Sequence, residues 1–170
     1  MASTGNQQLL ENSTGVPDDI EEIVIIKTEW NAAIVDELEA GCKRVLEQAG
    51  VENITVLTVP GAVEIPFAIQ AYETRSAFEA EAYIALGCVI KGDTPHFEYV
   101  CQSVTQGITQ LNTQLDVPVI FGVLTVNTEE QARERIGGVH GHKGEEAALT
   151  ALKMIALCRA LDNTHDDEEQ

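Results

Sequence analysis

Positive charge is scarce in this chain. Ten Lys and Arg stand against 28 Asp and Glu, a formal net charge of −18. Such a field repels phosphate backbones and anionic lipid, which argues against nucleic acid and membrane surfaces as partners. Long apolar runs are also missing. None approaches the ~18 residues of a membrane span. Yet 44% of the residues are apolar, and a 170-residue chain is long enough for one domain with a real core. Cysteines number four, with no C-x-x-C spacing. Cys42, Cys88, Cys101 and Cys158 fall inside periodic segments and read as reduced, buried thiols of a cytoplasmic protein, with no disulfide framework and no metal. Neither G-x-G-x-x-G nor G-x-x-x-x-G-K-[ST] occurs, so a dinucleotide or a P-loop nucleotide is not indicated. The first 20 residues lack the basic start and apolar stretch of a secretory leader and read as a flexible arm. Residues 162–170 read as an acidic tail, leaving one domain over 21–161.

What is present is alternation. EIVIIK (22–27), NITVLTV (53–59), AYIALGCVI (82–90) and VPVIFGVLTV (117–126) are short apolar runs with many β-branched residues, suited to strands. Between them, residues 30–50 place Ile34, Leu38, Cys42, Val45 and Ala49 at helical spacing. Residues 63–75 read as a helix in which Pro66 is tolerable only in the first turn. From His96 on, Phe97, Val100, Val104, Ile108 and Leu111 keep a helical stripe. Residues 128–136 read as a short helix with a Thr128 cap, Gln131 at the capping-box position, and Gly137 and Gly138 as its stop. Residues 143–161 are the last helix, apolar over more than one stripe, which hints at a partner surface. Four strands alternating with helices predict an α/β protein: a three-layer α/β/α sandwich on a parallel four-stranded sheet. Continuous apolar strands suit a sheet covered on both faces.

Ligands of open α/β sheets bind beyond the carboxyl ends of the strands. The loops there hold Trp30 and Asn31; Gly61, Ala62, Val63 and Glu64; and Lys91, Gly92, Asp93, Thr94, Pro95 and His96. Each has two readings. Trp30 is a core aromatic or a stacking platform under a flat ligand. Glu64 is a first-turn acid favoured by the helix dipole or a site carboxylate. His96 is a solvent-facing residue of a helix start or a proton acceptor, and Lys91 is a surface cation or part of a site. Free amides around residues 93–97 at a helix start suit an anion. Asp93 could instead cap that helix and hold those amides itself.

The segments EWNAAIVDEL (29–38), VPGAVEIPFAIQ (59–70), ALGCVIKGDTPHFEYVC (85–101), PVIFGVLTVNTEEQARERIGG (118–138) and HKGEEAALTAL (142–152) resemble, in order and spacing, the 6,7-dimethyl-8-ribityllumazine synthases. The resemblance implies a flavodoxin-like fold. It also implies condensation of 5-amino-6-(D-ribitylamino)uracil with 3,4-dihydroxy-2-butanone 4-phosphate to the lumazine, the penultimate step of riboflavin synthesis, without a cofactor. By that resemblance Trp30 stacks on the pyrimidine, Phe121 lines its pocket, and backbone groups near Phe121, Val89 and Ile90 hold its polar edge. Gly61, Ala62 and Val63 border the substrate, and Asn31 and Glu64 contact the ribityl chain with Lys143 nearby. Lys91, Gly92, Asp93 and Thr94 hold the phosphate with Arg135, and His96 moves protons. Arg135 and Lys143 come from a neighbouring subunit. The implied assembly is a pentamer or a 60-subunit shell, with riboflavin synthase as an encapsulated or downstream partner. Asp93, Val139 and His142 depart from the family pattern: a carboxylate sits beside the phosphate, a cation is missing at 139, and His142 is a candidate to supply charge at lower pH. A non-catalytic lumazine- or flavin-binding protein would need neither His96 nor Arg135. A phospho-receiver would need an acidic pair where Lys27, Thr28 and Glu29 stand.

Overall fold

The computed structural model describes Pro17 and residues 19–166, residues 164–166 by backbone alone. Most of the expected N-terminal arm, residues 1–16 and 18, and the last four residues of the acidic tail lie outside the described residues. Strands β1 (Ile23–Thr28), β2 (Ile54–Val59), β3 (Ala82–Ile90) and β4 (Val119–Val126) form one parallel sheet in the order β2-β1-β3-β4. The register is regular, with Ile23 opposite Ile54 and Ala82, and Ile90 opposite Val126. All four carboxyl ends therefore meet at one edge.

Helices α1 (Ala32–Gln48), α2 (Ile65–Arg75), α3 (His96–Leu111), α4 (Glu129–Arg133) and α5 (Lys143–Asp166) connect or follow the strands. The burial pattern explains the uninterrupted apolar strands. Ile23, Ile25, Ile84 and Leu86 face a cluster completed by Leu38, Leu46, Leu152 and Ile155 of α1 and α5. Val24, Ile26, Tyr83 and Ala85 face the opposite cluster, with Ile65, Ile69, Val104 and Ile108 of α2 and α3. Alternate residues of each strand enter different cores, so both faces must be apolar. The fold is a three-layer, flavodoxin-like α/β sandwich.

Three local details refine the expected elements. Pro66 sits in the first turn of α2, where no helical hydrogen bond is lost; Ala62–Glu64 form a separate 3-10 turn ahead of it. The Thr128 hydroxyl caps α4 by accepting from the Gln131 amide at 3.3 Å. The Gln131 side chain reaches back to the Asn127 amide at 2.8 Å, one residue outside the usual box. Helix α4 stops at Arg133, and residues 136–142 turn back as a small antiparallel hairpin of β5 (Ile136–Gly138) and β6 (Gly141–His142). Helix α5 continues to Asp166, into the stretch expected as tail.

Part of the extra apolar stripe of α5 is used within the chain, while Met154 and Cys158 are only half-buried. Ala147, Ala148 and Ala151 are all fully buried, and small residues let α1 and α5 approach closely. A Cβ on Gly144 would stand 2.0 Å from the Leu38 carbonyl oxygen, and one on Gly41 would stand 2.0 Å from Cε1 of His142. At the far end of the sheet, Arg159 binds the Glu81 carboxylate and the Asp19 carbonyl, fastening the entry to β1 onto α5. The cysteines are free: Cys42 and Cys88 are buried, while Cys101 and Cys158 are only half-buried.

Candidate active site

The loop after β1 is built around Asn31. Its φ of 59° is left-handed, a conformation Asn tolerates better than most side chains. Its side-chain amide donates to the Cys88 carbonyl of β3 at 2.8 Å, and its own carbonyl accepts from the Ile34 and Val35 amides, opening α1. Next to it Trp30 is 72% exposed, beyond the edge of the sheet. The core-aromatic reading of Trp30 is therefore excluded.

The loop after β2 lies beside it. The Trp30 amide donates to the Pro60 carbonyl at 3.2 Å. A Cβ on Gly61 would come within 3.1 Å of Glu64 Oε2 and 3.8 Å of Trp30 Cδ1. Gly61 thus leaves the space in which an indole and a carboxylate meet, both open to solvent. Ala62 is buried under this loop, and Val63 is exposed beside Glu64.

After β3, whose last residues Val89 and Ile90 are half-buried, Lys91 to His96 are all exposed. Helix α3 begins at His96 with no side-chain cap on its first amides. The Thr94 hydroxyl makes one long contact, 3.4 Å, with the His96 amide. Among the described residues the Asp93 side chain makes no hydrogen bond and does not cap the helix; the Glu98 amide bonds the Pro95 carbonyl at 3.1 Å, which leaves the Phe97 amide as the open one of the first turn. A groove of about 490 Å³ runs along this loop, lined by Lys91 to Pro95 and by Glu98, Tyr99 and Gln102 of α3. The last three were not expected from the sequence. Their signal was the i, i+3/i+4, i+7 spacing from Pro95, which puts them on the groove side of the helix. Lys91 is held near this groove by Glu98 at 3.5 Å and by the Phe97 ring at 5.9 Å. A Cβ on Gly92 would meet nothing within 4 Å, and its backbone is not left-handed; its lack of a side chain opens the groove and relieves no strain.

Three expected site residues stand apart from this group. Phe121 is half-buried against the α2–α3 core, opposite Ala85 and five residues before the end of β4. That is roughly 17 Å of strand from the end of β3, beyond which the 91–96 loop lies, although Phe121 is level with Ile26, two residues before the end of β1. Arg135 donates to the Gln131 carbonyl at 2.7 Å, with Glu134 3.9 Å away. Lys143 is 8% exposed and donates to Glu146 Oε1 at 2.6 Å. Among the described residues, no hydrogen bond or ion pair joins Arg135 or Lys143 to the 91–96 loop. His142 is packed against Gly41, and burial pushes its imidazole below the usual histidine range. Its Nδ1 accepts from the Glu145 amide at 3.4 Å, a bond that a protonated ring could not accept. Both features favour the neutral ring, against the positive charge considered for His142 at lower pH.

Trp30, Glu64, the start of α3 and His96 thus all follow the carboxyl ends of β1, β2 and β3, at one edge of the sheet. A family model described as 6,7-dimethyl-8-ribityllumazine synthase matches residues 21–159. The chain belongs to this family. A 6,7-dimethyl-8-ribityllumazine synthase of Parabacteroides distasonis is 49% identical over 158 residues, covering 90% of this chain and 97% of the relative. Relatives of the same name from Bacteroides fragilis and Porphyromonas gingivalis are 51% and 55% identical, each covering 81% of this chain and 96% and 85% of their own lengths. The matched span includes every lumazine synthase landmark from β1 to α5.

Proposed function

We propose that the protein condenses 5-amino-6-(D-ribitylamino)uracil with 3,4-dihydroxy-2-butanone 4-phosphate, giving 6,7-dimethyl-8-ribityllumazine, phosphate and water. The observation that carries this reading is the grouping of Trp30, Gly61 and Glu64 at the same sheet edge as the uncapped start of α3, within a chain matched to the family over residues 21–159. Trp30 stacks on the pyrimidine, and Glu64 with the free Asn31 oxygen accepts from ribityl hydroxyls. The amides and hydroxyl of Gly92, Asp93 and Thr94 take the phosphate, with Lys91 adding positive charge to the groove. The chemistry begins with attack of the substrate amine on the ketone and loss of water to an imine. Phosphate elimination, tautomerisation and ring closure with loss of a second water follow. Each step moves a proton, and the exposed imidazole of His96 sits one turn from the phosphate loop to carry it. Holding two substrates in one orientation supplies much of the rate.

We infer further that the site is completed by a second copy of the chain. The separation of Phe121, Arg135 and Lys143 from the 91–96 loop within one subunit supports this, since a neighbour's copies of these residues can face the site. A pentamer or a 60-subunit shell and a cytoplasmic location are part of the same reading. Mixing the protein with both substrates and following lumazine absorbance tests the reaction. Formation should exceed the spontaneous rate and fall in His96→Ala by no more than about 10²–10⁴-fold, and Arg135→Ala should raise KM for the phosphate substrate. Product at only the spontaneous rate would refute the enzyme reading. Sedimentation velocity of the same sample tests the assembly, a monomer being the refuting result.

A further inference from the structure

We propose that Asn31 is a positioning residue whose side-chain amide, through the Cys88 carbonyl, fixes where Trp30 stands. This rests on the stacking role given above to Trp30. The indole is 72% exposed, so no packing within the subunit holds it. Its backbone is instead tied on three sides. The Trp30 amide donates to the Pro60 carbonyl beyond β2, and the Trp30 carbonyl accepts from the buried Thr28 hydroxyl at 3.3 Å. The adjacent Asn31 amide reaches the Cys88 carbonyl of β3, 57 residues away, at 2.8 Å. These ties join the loop to both strands that flank β1. A left-handed residue is needed at 31 to turn the chain into α1, and only an amide side chain tolerates that turn while donating across to β3. The contact also uses one of the two Asn31 side-chain N–H donors inside the protein, leaving the other and the oxygen for substrate hydroxyls. Gly87, three residues before the end of β3, is without a Cβ where one would stand 3.2 Å from Thr28 Cγ2, so the Thr28 side chain is itself seated closely.

Trp30 is the only tryptophan in the chain, so its fluorescence reports this loop alone. The test is time-resolved anisotropy of the ligand-free, full-length protein for wild type, Asn31→Gly, Asn31→Asp and Thr28→Val. Glycine keeps the left-handed turn and loses the tie; aspartate keeps the turn and the acceptor oxygen but cannot donate. Asn31→Gly and Asn31→Asp should both add a fast depolarisation that wild type lacks, with Thr28→Val intermediate. Their KM for the pyrimidine substrate should rise roughly tenfold or more, with KM for the phosphate substrate nearly unchanged. A residue that only touches the ribityl chain would raise the same KM but leave the ligand-free anisotropy at the wild-type value, and that result overturns the proposal. Should one Asn31 variant fail to fold, the other carries the comparison. The anisotropy also reads the tie if no lumazine is formed, so failure of the proposed reaction is seen separately.

Discussion

His142 and Gly92 are two single residues whose surroundings make opposite demands. The His142 ring is half-buried, with its Nδ1 accepting a backbone amide, and burial lowers its pKa below the ordinary value near 6.5. The folded state thus prefers the neutral ring, while the unfolded chain protonates first as pH falls. The stabilisation is fully present above about pH 6.5 and is lost as pH drops through the depressed folded value. Urea midpoints should fall between pH 7.5 and 5.5, and His142→Gln should shrink that fall; an equal fall in both proteins would exclude His142 as its source. Gly92 has open space where a Cβ would go, so Gly92→Ala should leave the unfolding free energy within about 0.5 kcal/mol of wild type. The added methyl enters the proposed phosphate groove, so KM for the phosphate substrate should still rise. An unaltered KM would remove Gly92 from the anion site.

The contact between α1 and α5 decides what the elements tolerate. At Gly144 a Cβ would meet backbone, the Leu38 carbonyl, at 2.0 Å, so no side-chain rotation relieves the clash. Gly144→Ala should cost about 3 kcal/mol or more, the upper end for overpacking, despite the better helix propensity of alanine. Denaturant unfolding would show it, and a stability equal to wild type would mean that the two helices can slide apart freely. Legibility also differed by element. The four strands were plain because a sheet covered twice needs unbroken apolar runs, and β3 appeared at its full length from Ala82 to Ile90. The β5–β6 hairpin was not, because strands of three and two residues carry no period to read and glycines at 137, 138 and 141 look like a simple stop. The site divided the same way. Trp30, Glu64 and the 91–96 loop were found because they follow strands. Tyr99 and Gln102 were missed because the helical spacing from Pro95 that places them marks a face and not a groove, and the Asn31–Cys88 tie because hydrogen bonds across 57 residues leave no spacing to recognise.

At the scale of the molecule, charge and thiol burial dominate. A net −18 on 170 residues means self-repulsion, which added salt screens over a Debye length of about 8 Å at physiological strength. The melting temperature should therefore rise from low to physiological ionic strength, and a fall would show that local ion pairs such as Lys27 with Asp36 and Glu39 outweigh the net repulsion. Buried Cys42 and Cys88 have a practical side. Burial pushes their thiols up to about 12 and about 11, so at neutral pH neither offers a thiolate to an alkylating reagent. Cys42 lies on the buried face of α1 and Cys88 beneath the Asn31 tie, and each can react only while its own region is open. Under pulsed iodoacetamide labelling, Cys88 modified faster than Cys42 would mean that the sheet edge breathes without global unfolding. Equal rates would mean the whole domain opens as one. The chain thus carries two internal clocks, one at the sheet edge and one in its foundation.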